Sequence, residues 1–360
     1  MRSRLVLLAP FVVVGCSANP APPAAPSPAP VATTVTNASP LIAQPGPRSF
    51  DLPGATAPTF IDYIAYEERA SRVWIPLGTS GTVDLFDTRT GGFTRVDGLP
   101  VAEREVRGKR RMLGPTSVTI GDGFAYVGSR AKNEVCPVDL ASLEVKPCLA
   151  LPTAIDGVDY IAATKEIWVT TGDAALAIVD ATSPAALRMK TVLKFEGTPE
   201  GYAHDAAHGL FFTNLEDRDA TLAIDVATRK VNATWKPGCG KEGPRGIRVD
   251  PDLGFAFVAC TEHVQVLDIA HGGALRGKVD AGAGIDNIDY APRDRLVYIA
   301  AGKAARLTVA RVDAANGQLT VTATAETATG ARTVVTDASG NAYIPDPQRA
   351  RLVVLPRKTP

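Results

Sequence analysis

Arg245-Gly246-Ile247-Arg248-Val249-Asp250-Pro251-Asp252-Leu253-Gly254-Phe255-Ala256-Phe257-Val258-Ala259 spells a strand, a turn and a second strand. Both apolar runs are short, rich in β-branched and aromatic residues, and bounded by Gly, Pro and Asp, which are strand signals. Reading outward, His263 to Asp268 gives a third strand and Gly277 to Val279 a fourth, all before Gly284. Helix-period stretches are absent from this unit.

The same unit recurs along the chain. Its opening strand is found as Ile61-Asp62-Tyr63-Ile64, Pro115-Thr116-Ser117-Val118, Ile155-Asp156-Gly157-Val158 and Pro199-Glu200-Gly201-Tyr202, then as Pro244-Arg245-Gly246-Ile247, Ile285-Asp286-Asn287-Ile288 and Ala331-Arg332-Thr333-Val334. Positions 61 to 331 cover 270 residues in six steps, a mean of 45. That period suits four strands per repeat, arranged as the blades of a β-propeller. A second ladder fixes the register, because the third strand ends in aspartate six times: Asp87, Asp139, Asp180, Asp225, Asp268 and Asp313. Aspartate at such a turn bonds its own backbone, so these six are turn chemistry.

The seventh copy stops early, with Pro356 after Leu352-Val353-Val354-Leu355. Its missing strand has a candidate at the other end, Arg48-Ser49-Phe50-Asp51-Leu52-Pro53, whose alternation matches Cys148-Leu149-Ala150-Leu151-Pro152. The expectation is an all-β, seven-bladed propeller of four-stranded blades over residues 48–360, closed by an N-terminal strand that completes the last blade and removes two sheet edges.

The N-terminus reads as an address. Residues 1–15 hold Arg2, Arg4 and the apolar run Leu5 to Val14, shorter than the roughly 20 residues a membrane-spanning helix needs. Val13-Val14-Gly15-Cys16 resembles a bacterial lipobox. The resemblance implies cleavage before Cys16, lipidation of its thiol, and a chain anchored to a bacterial membrane by lipid alone. Ser17, where an aspartate would retain the protein elsewhere, implies the outer membrane, with the domain facing the periplasm or cell surface. Residues 16–47 are dominated by Ala, Pro, Ser and Thr and read as a disordered tether.

The remaining four cysteines fall into two local pairs. Cys136 and Cys148 face each other across a strand-turn-strand, and Cys239 and Cys260 share one rim of the fifth blade. An oxidising compartment makes disulfides the natural reading, and no CxxC spacing supports metal.

Tyr126-Val127-Gly128-Ser129, Trp168-Val169-Thr170-Thr171 and Phe211-Phe212-Thr213-Asn214, with turns such as Val249-Asp250-Pro251-Asp252, resemble the YVTN-repeat β-propeller family. The likeness covers nearly all of residues 48–356. It implies a secreted or surface protein that binds proteins or polymers.

In such a ring the starts of the first strands share one face around the channel mouth. They carry Asp62, Thr116, Asp156, Glu200, Arg245, Asp286 and Arg332. Two readings follow: a self-neutralising ring of ion pairs, or a site for a hard cation such as calcium built from Asp62, Asp156, Glu200 and Asp286. Between blades one and two an insertion around Val101 to Met112 carries Arg104, Arg107, Lys109, Arg110 and Arg111, read either as a solvated charged loop or as a clamp for an anionic partner. Lys plus Arg and Asp plus Glu number 38 each, and aromatics are 6%, which argues against nucleic acid. The expected function is a monomeric, non-catalytic binding or scaffold module using Asp62, Asp156, Glu200, Arg245, Asp286, Arg332 and the basic insertion. Its partner would be an envelope protein or an anionic polymer or glycan. The alternative is a metal-dependent lactonase-like hydrolase at the same mouth. Gly243-Pro244-Arg245-Gly246-Ile247 resembles that family's Gly-Pro-Arg-His stretch, with Gly246 at the histidine position.

Overall fold

A computed structural model describes residues 46–357 except residue 107, together with the backbone of residues 34 and 35. Cys16, Arg107 and nearly all of the 1–47 segment therefore lie outside the described residues. The architecture is a ring of seven four-stranded antiparallel blades. Blade five, for instance, runs Pro244–Asp250, Phe255–Cys260, His263–Asp268 and Ala274–Asp280 from the axis outward.

The ring closes as the sequence predicts. Blade seven takes Val335–Thr336, Ala342–Asp346 and Arg351–Leu355 from the C-terminus, and Arg48–Asp51 supplies its outermost strand. In that pairing Arg48 faces Val354 and Asp51 faces Arg351. Phe50 then packs against Phe86 of blade one, with ring centroids 4.8 Å apart.

Blades one and seven depart from the sequence reading in detail. Their innermost strands are the short Ala65–Glu67 and Val335–Thr336, so residues 61–64 and 331–334 are extended chain at the mouth rather than strand. Asp62 instead faces two arginines and the Tyr63 amide bonds Thr116 O at 3.0 Å. Within the stretch read as a tether, Thr34–Val35 pairs with Phe93–Thr94 and gives blade one a fifth strand. The unpaired groups of an exposed edge and two β-branched residues account for it.

The core is divided among the blade interfaces. Seven apolar clusters each join one pair of neighbours; Phe257, Val266, Ile288 and Ile299 fuse blades five and six, and Trp168, Ile178, Phe211 and Ile224 fuse three and four. Blades hold together because each face is apolar on alternate residues, the period of a strand.

All six repeated aspartates cap their turns. Asp139 Oδ1 accepts from the amides of Ala141 and Ser142 at 2.9 Å, and Asp87, Asp180, Asp225, Asp268 and Asp313 do the same two or three residues downstream. Both expected disulfides are present, Cys136–Cys148 and Cys239–Cys260.

Candidate functional site: the charged channel mouth

The first-strand starts do converge. Asp62 accepts from Arg130 on one carboxylate oxygen and from Arg332 on the other, each at 3.1 Å. Arg130 also pairs with Asp156, and Arg332 with Asp286 at 2.8 Å. Arg245 turns aside to pair with Glu216. Phe60 lies under both bridging arginines, whose guanidinium carbons stand 5.3 and 5.4 Å from its ring centroid.

Three participants escape the sequence reading: Tyr63, Arg130 and Glu216. Arg130 and Glu216 each follow a second strand, Phe124–Ser129 and Leu210–Leu215. The equivalent positions in the other blades are Gly78, Gly172, Thr261, Gly302 and Pro347. A ladder drawn through the ends of second strands would have isolated these two charges.

Tyr63 crosses the ring. Its hydroxyl lies 3.2 Å from Glu200 Oε1 and 3.4 Å from Asp156 Oδ2, and it accepts from the Gly201 amide at 3.3 Å. A bond from blade one to blades three and four must pass through the centre, so Tyr63 plugs the channel. Its ring stacks on Tyr202 at 5.4 Å. Glycines make room for this: a Cβ at Gly157 would lie 2.2 Å from Tyr202 Cε1. Gly201 holds a φ of +69°, and a Cβ there would lie 2.4 Å from Arg245 O. Below the tyrosines Arg248 bonds Asp289 at 3.1 Å, and Asp289 accepts from the Thr336 amide and hydroxyl.

Five carboxylates, Asp62, Asp156, Glu200, Glu216 and Asp286, meet three guanidinium groups, Arg130, Arg245 and Arg332. Four of the five have an ion-pair partner. Glu200 has none among the described residues; its one hydrogen-bond partner is Tyr63. Burial, and then the charges of Asp156, Asp286 and Asp62, push the Glu200 carboxyl well above the usual carboxylate range. Burial likewise lifts Asp156 to about 6 against the pull of Arg130. Asp286 is also raised by burial, against Arg332. Burial disfavours the charge on Arg130, but Asp62 and Asp156 outweigh it and keep that guanidinium protonated.

For a metal, the four sequence-read carboxylates bring no three ligand oxygens within 4.8 Å of one another; the single such grouping among the described residues is Glu134 with the disulfide pair Cys136 and Cys148. Asp62, Asp156 and Asp286 are engaged by arginines instead.

The basic insertion is a hairpin, Ala102–Val106 with Lys109–Leu113, rather than an irregular loop. Arg104 Nε anchors it to Ala131 O at 3.0 Å, and its last residue, Leu113, reaches the mouth. There a cavity of about 310 Å³ is lined by Leu113, Arg130, Asn133, Asp156, Glu200 and Glu216, among others.

No protein-family model and no curated protein matches the chain by sequence. Solved structures resemble it in fold. A chain of the Mitotic Checkpoint Complex superposes with a TM-score of 0.70 at 13% identity, over 90% of this chain and 96% of that one. The Cps50 (Swd1) β-propeller of Myceliophteria thermophila gives 0.68 at 10%, over 84% and 98%. The hydrazine synthase of Kuenenia stuttgartiensis gives 0.66 at 14%, over 86% and 97%. At these identities the likeness establishes the β-propeller fold.

Proposed function

We propose that this chain is a non-catalytic binding module of a bacterial envelope, a propeller of the YVTN-repeat kind that holds a protein partner on its channel-mouth face. One observation carries the reading. In the hairpin Arg104 stands directly opposite Arg111, and like charges in a cross-strand pair weaken the pairing. Lys109 and Arg111 have no ion-pair partner among the described residues, and Met112 and Val101 beside them are 43% and 41% exposed. A hairpin built for its own stability would not be written so; a basic, partly apolar finger kept for an acidic surface would be. The structural neighbour in the Mitotic Checkpoint Complex, a propeller within an assembly, is in keeping with this use of the fold.

Reversing Lys109 and Arg111 to glutamate, with Arg110 left on Glu103, should abolish crosslinking to the partner in intact cells while leaving the melting temperature unchanged. Undiminished crosslinking would overturn the reading. Anchoring is proposed to run through Cys16, on the lipobox resemblance, and Cys16→Ser should shift the protein from the membrane to the aqueous fraction.

A further inference from the structure

We propose that the cleft between blades six and seven is a binding site for a fatty acid, an extended acyl chain ending in a carboxylate. The cleft holds about 1570 Å³ and runs along the side of the ring to the rim opposite the mouth. It is separate from the charged mouth and independent of what binds there.

The cleft exists because one position of the repeat is small. The outermost strand of each blade presents an apolar side chain to the following blade: Val96, Leu149, Leu193, Trp235, Val279 and, in blade seven, Phe50. Blade six presents Ala325 instead, on the strand Leu319–Glu326. Large side chains close the outer edge of the other interfaces; the alanine leaves this one open. The gap is walled by Leu307 and Val309 of blade six and by Val354 and Leu355 of blade seven. An empty apolar gap serves a closed ring poorly, because its walls forgo packing contacts.

Charge selects the head group. Four arginines line the cleft, Arg48, Arg89, Arg311 and Arg357. Two are neutralised within the chain, Arg89 by Asp87 at 3.1 Å and Arg357 by Asp294 at 2.8 Å. Arg48 and Arg311 have no ion-pair partner among the described residues. Arg311 reaches only the backbone oxygen of Asp294, at 3.2 Å. Arg48 lies over Phe50, its guanidinium carbon 5.0 Å from the ring centroid, and its Nη1 is buried with no hydrogen-bond partner. A guanidinium held in place with an unused N–H suits an incoming carboxylate, which it can meet with two parallel bonds. The lining carboxylates do not supply that partner. Asp337 is engaged in its own turn, accepting from the amides of Ser339 and Asn341 at 2.9 Å, and Glu68 is exposed and makes no ion pair among the described residues.

Shape selects the body. The lining passes from Arg311 in blade six through Asn341 in blade seven to Tyr66 in blade one. The volume exceeds the roughly 300–1,000 Å³ of sites for compact ligands, so an elongated molecule fits better than a globular one. A chain of methylenes fills such an apolar trough, and each one taken out of water adds to affinity. A bare inorganic anion would leave the apolar walls wet, and a neutral hydrocarbon would leave Arg48 and Arg311 unpaired.

The test is calorimetric titration of the purified full chain with laurate. Acetate serves as the head group alone and dodecyltrimethylammonium as the same tail with the opposite charge, all below their micellar concentrations. Saturable one-to-one binding of laurate is expected, at least tenfold tighter than that of either control. Arg48→Gln combined with Arg311→Gln should weaken laurate binding about tenfold or more, as befits loss of charged hydrogen bonds. Ala325→Leu gives blade six the kind of side chain its neighbours carry. It should abolish binding and raise the melting temperature, which keeps the test valid if the arginine variant misfolds. Failure of laurate to saturate, equal binding of the cationic analogue, or indifference to both substitutions would overturn the site. Association with anionic phospholipid vesicles but not with monomeric laurate would replace the fatty acid with a membrane surface and so overturn it too. A photocrosslinker in place of Val309 that captures residues 36–45 of its own chain, undisturbed by laurate, would show the cleft to be filled from within, with the same consequence.

Discussion

The phenolic oxygen of Tyr63 stands 3.2 Å from Glu200 Oε1, tying blade one to blade four through the centre of the ring. The plug and the binding face thus share a bond, and the mouth is a cup with a floor instead of a tunnel. Tyr63→Phe leaves the Gly201 amide without its acceptor and the Glu200 carboxyl without its donor, while Asp156 keeps Arg130. The expected loss is about 1–3 kcal/mol in urea unfolding. A change below about 0.5 kcal/mol would show that the plug is held by ring packing alone.

At the opposite rim, Glu166 is 1% exposed and accepts from Lys190 and Arg229 at 2.5 Å, from Trp168 Nε1 at 3.0 Å and from Thr164 at 3.1 Å. Burial works to raise its pKa, but those donors prevail and hold it below the usual range. Its contribution is therefore full above the unfolded carboxylate range and fades as pH falls through the lower, folded value. Glu166→Ala should cost about 2–4 kcal/mol near neutral pH, since two cations and an indole lose their common acceptor. A variant that melts with the parent at pH 7 would contradict this.

Asp159 provides the opposite sign. Burial lifts its carboxyl to about 7, with Arg248 only partly opposing. The folded chain therefore holds that proton more tightly than the unfolded chain, whose aspartates titrate near about 4. Stability is lost as pH rises between those values. Asp159→Asn should flatten the decline in melting temperature between pH 5 and pH 8 and raise stability at the upper end. An unaltered slope would remove Asp159 from the account.

The disulfides close loops of 12 and 21 residues in sequence separation. Loops of that size correspond to about 3 kcal/mol each where the unfolded chain is the main thing constrained. Melting with and without a reductant, with Cys136→Ser and Cys239→Ser compared singly, apportions the effect. Equal melting temperatures in both conditions would show the bonds to be dispensable. Cys239–Cys260 also anchors the loop preceding Arg245, so its loss should weaken partner capture more than loss of Cys136–Cys148.

Most of the fold was legible because a propeller writes its architecture as a period. Seven repeat starts, six capping aspartates and the orphan strand Arg48–Asp51 are one-dimensional signals; five of the starts open strands, while those of blades one and seven precede theirs. The mouth was legible only in part. Asp62, Asp156, Glu200, Asp286 and Arg332 were found because they occupy one repeat position. Arg130 and Glu216 were not, because they sit in a different loop, where five of seven blades carry Gly, Thr or Pro. Pairing was not legible at all: which arginine meets which carboxylate depends on side-chain reach across the axis, and the repeat carries no information about that.

Closure by Arg48–Asp51 also sets an order in time. Arg48–Asp51 is made 300 residues ahead of Arg351–Leu355 and must wait for it before it has a partner. Until then the nascent chain exposes the apolar face of Phe50 and an unpaired edge on blade seven's second strand, Ala342–Asp346. Prematurely terminated chains would stay in that state, open to pairing with one another and readily recognised by holding chaperones and proteases. The latch that closes the ring therefore also inspects it: a chain cut before Arg351 cannot close, however well its other blades have formed.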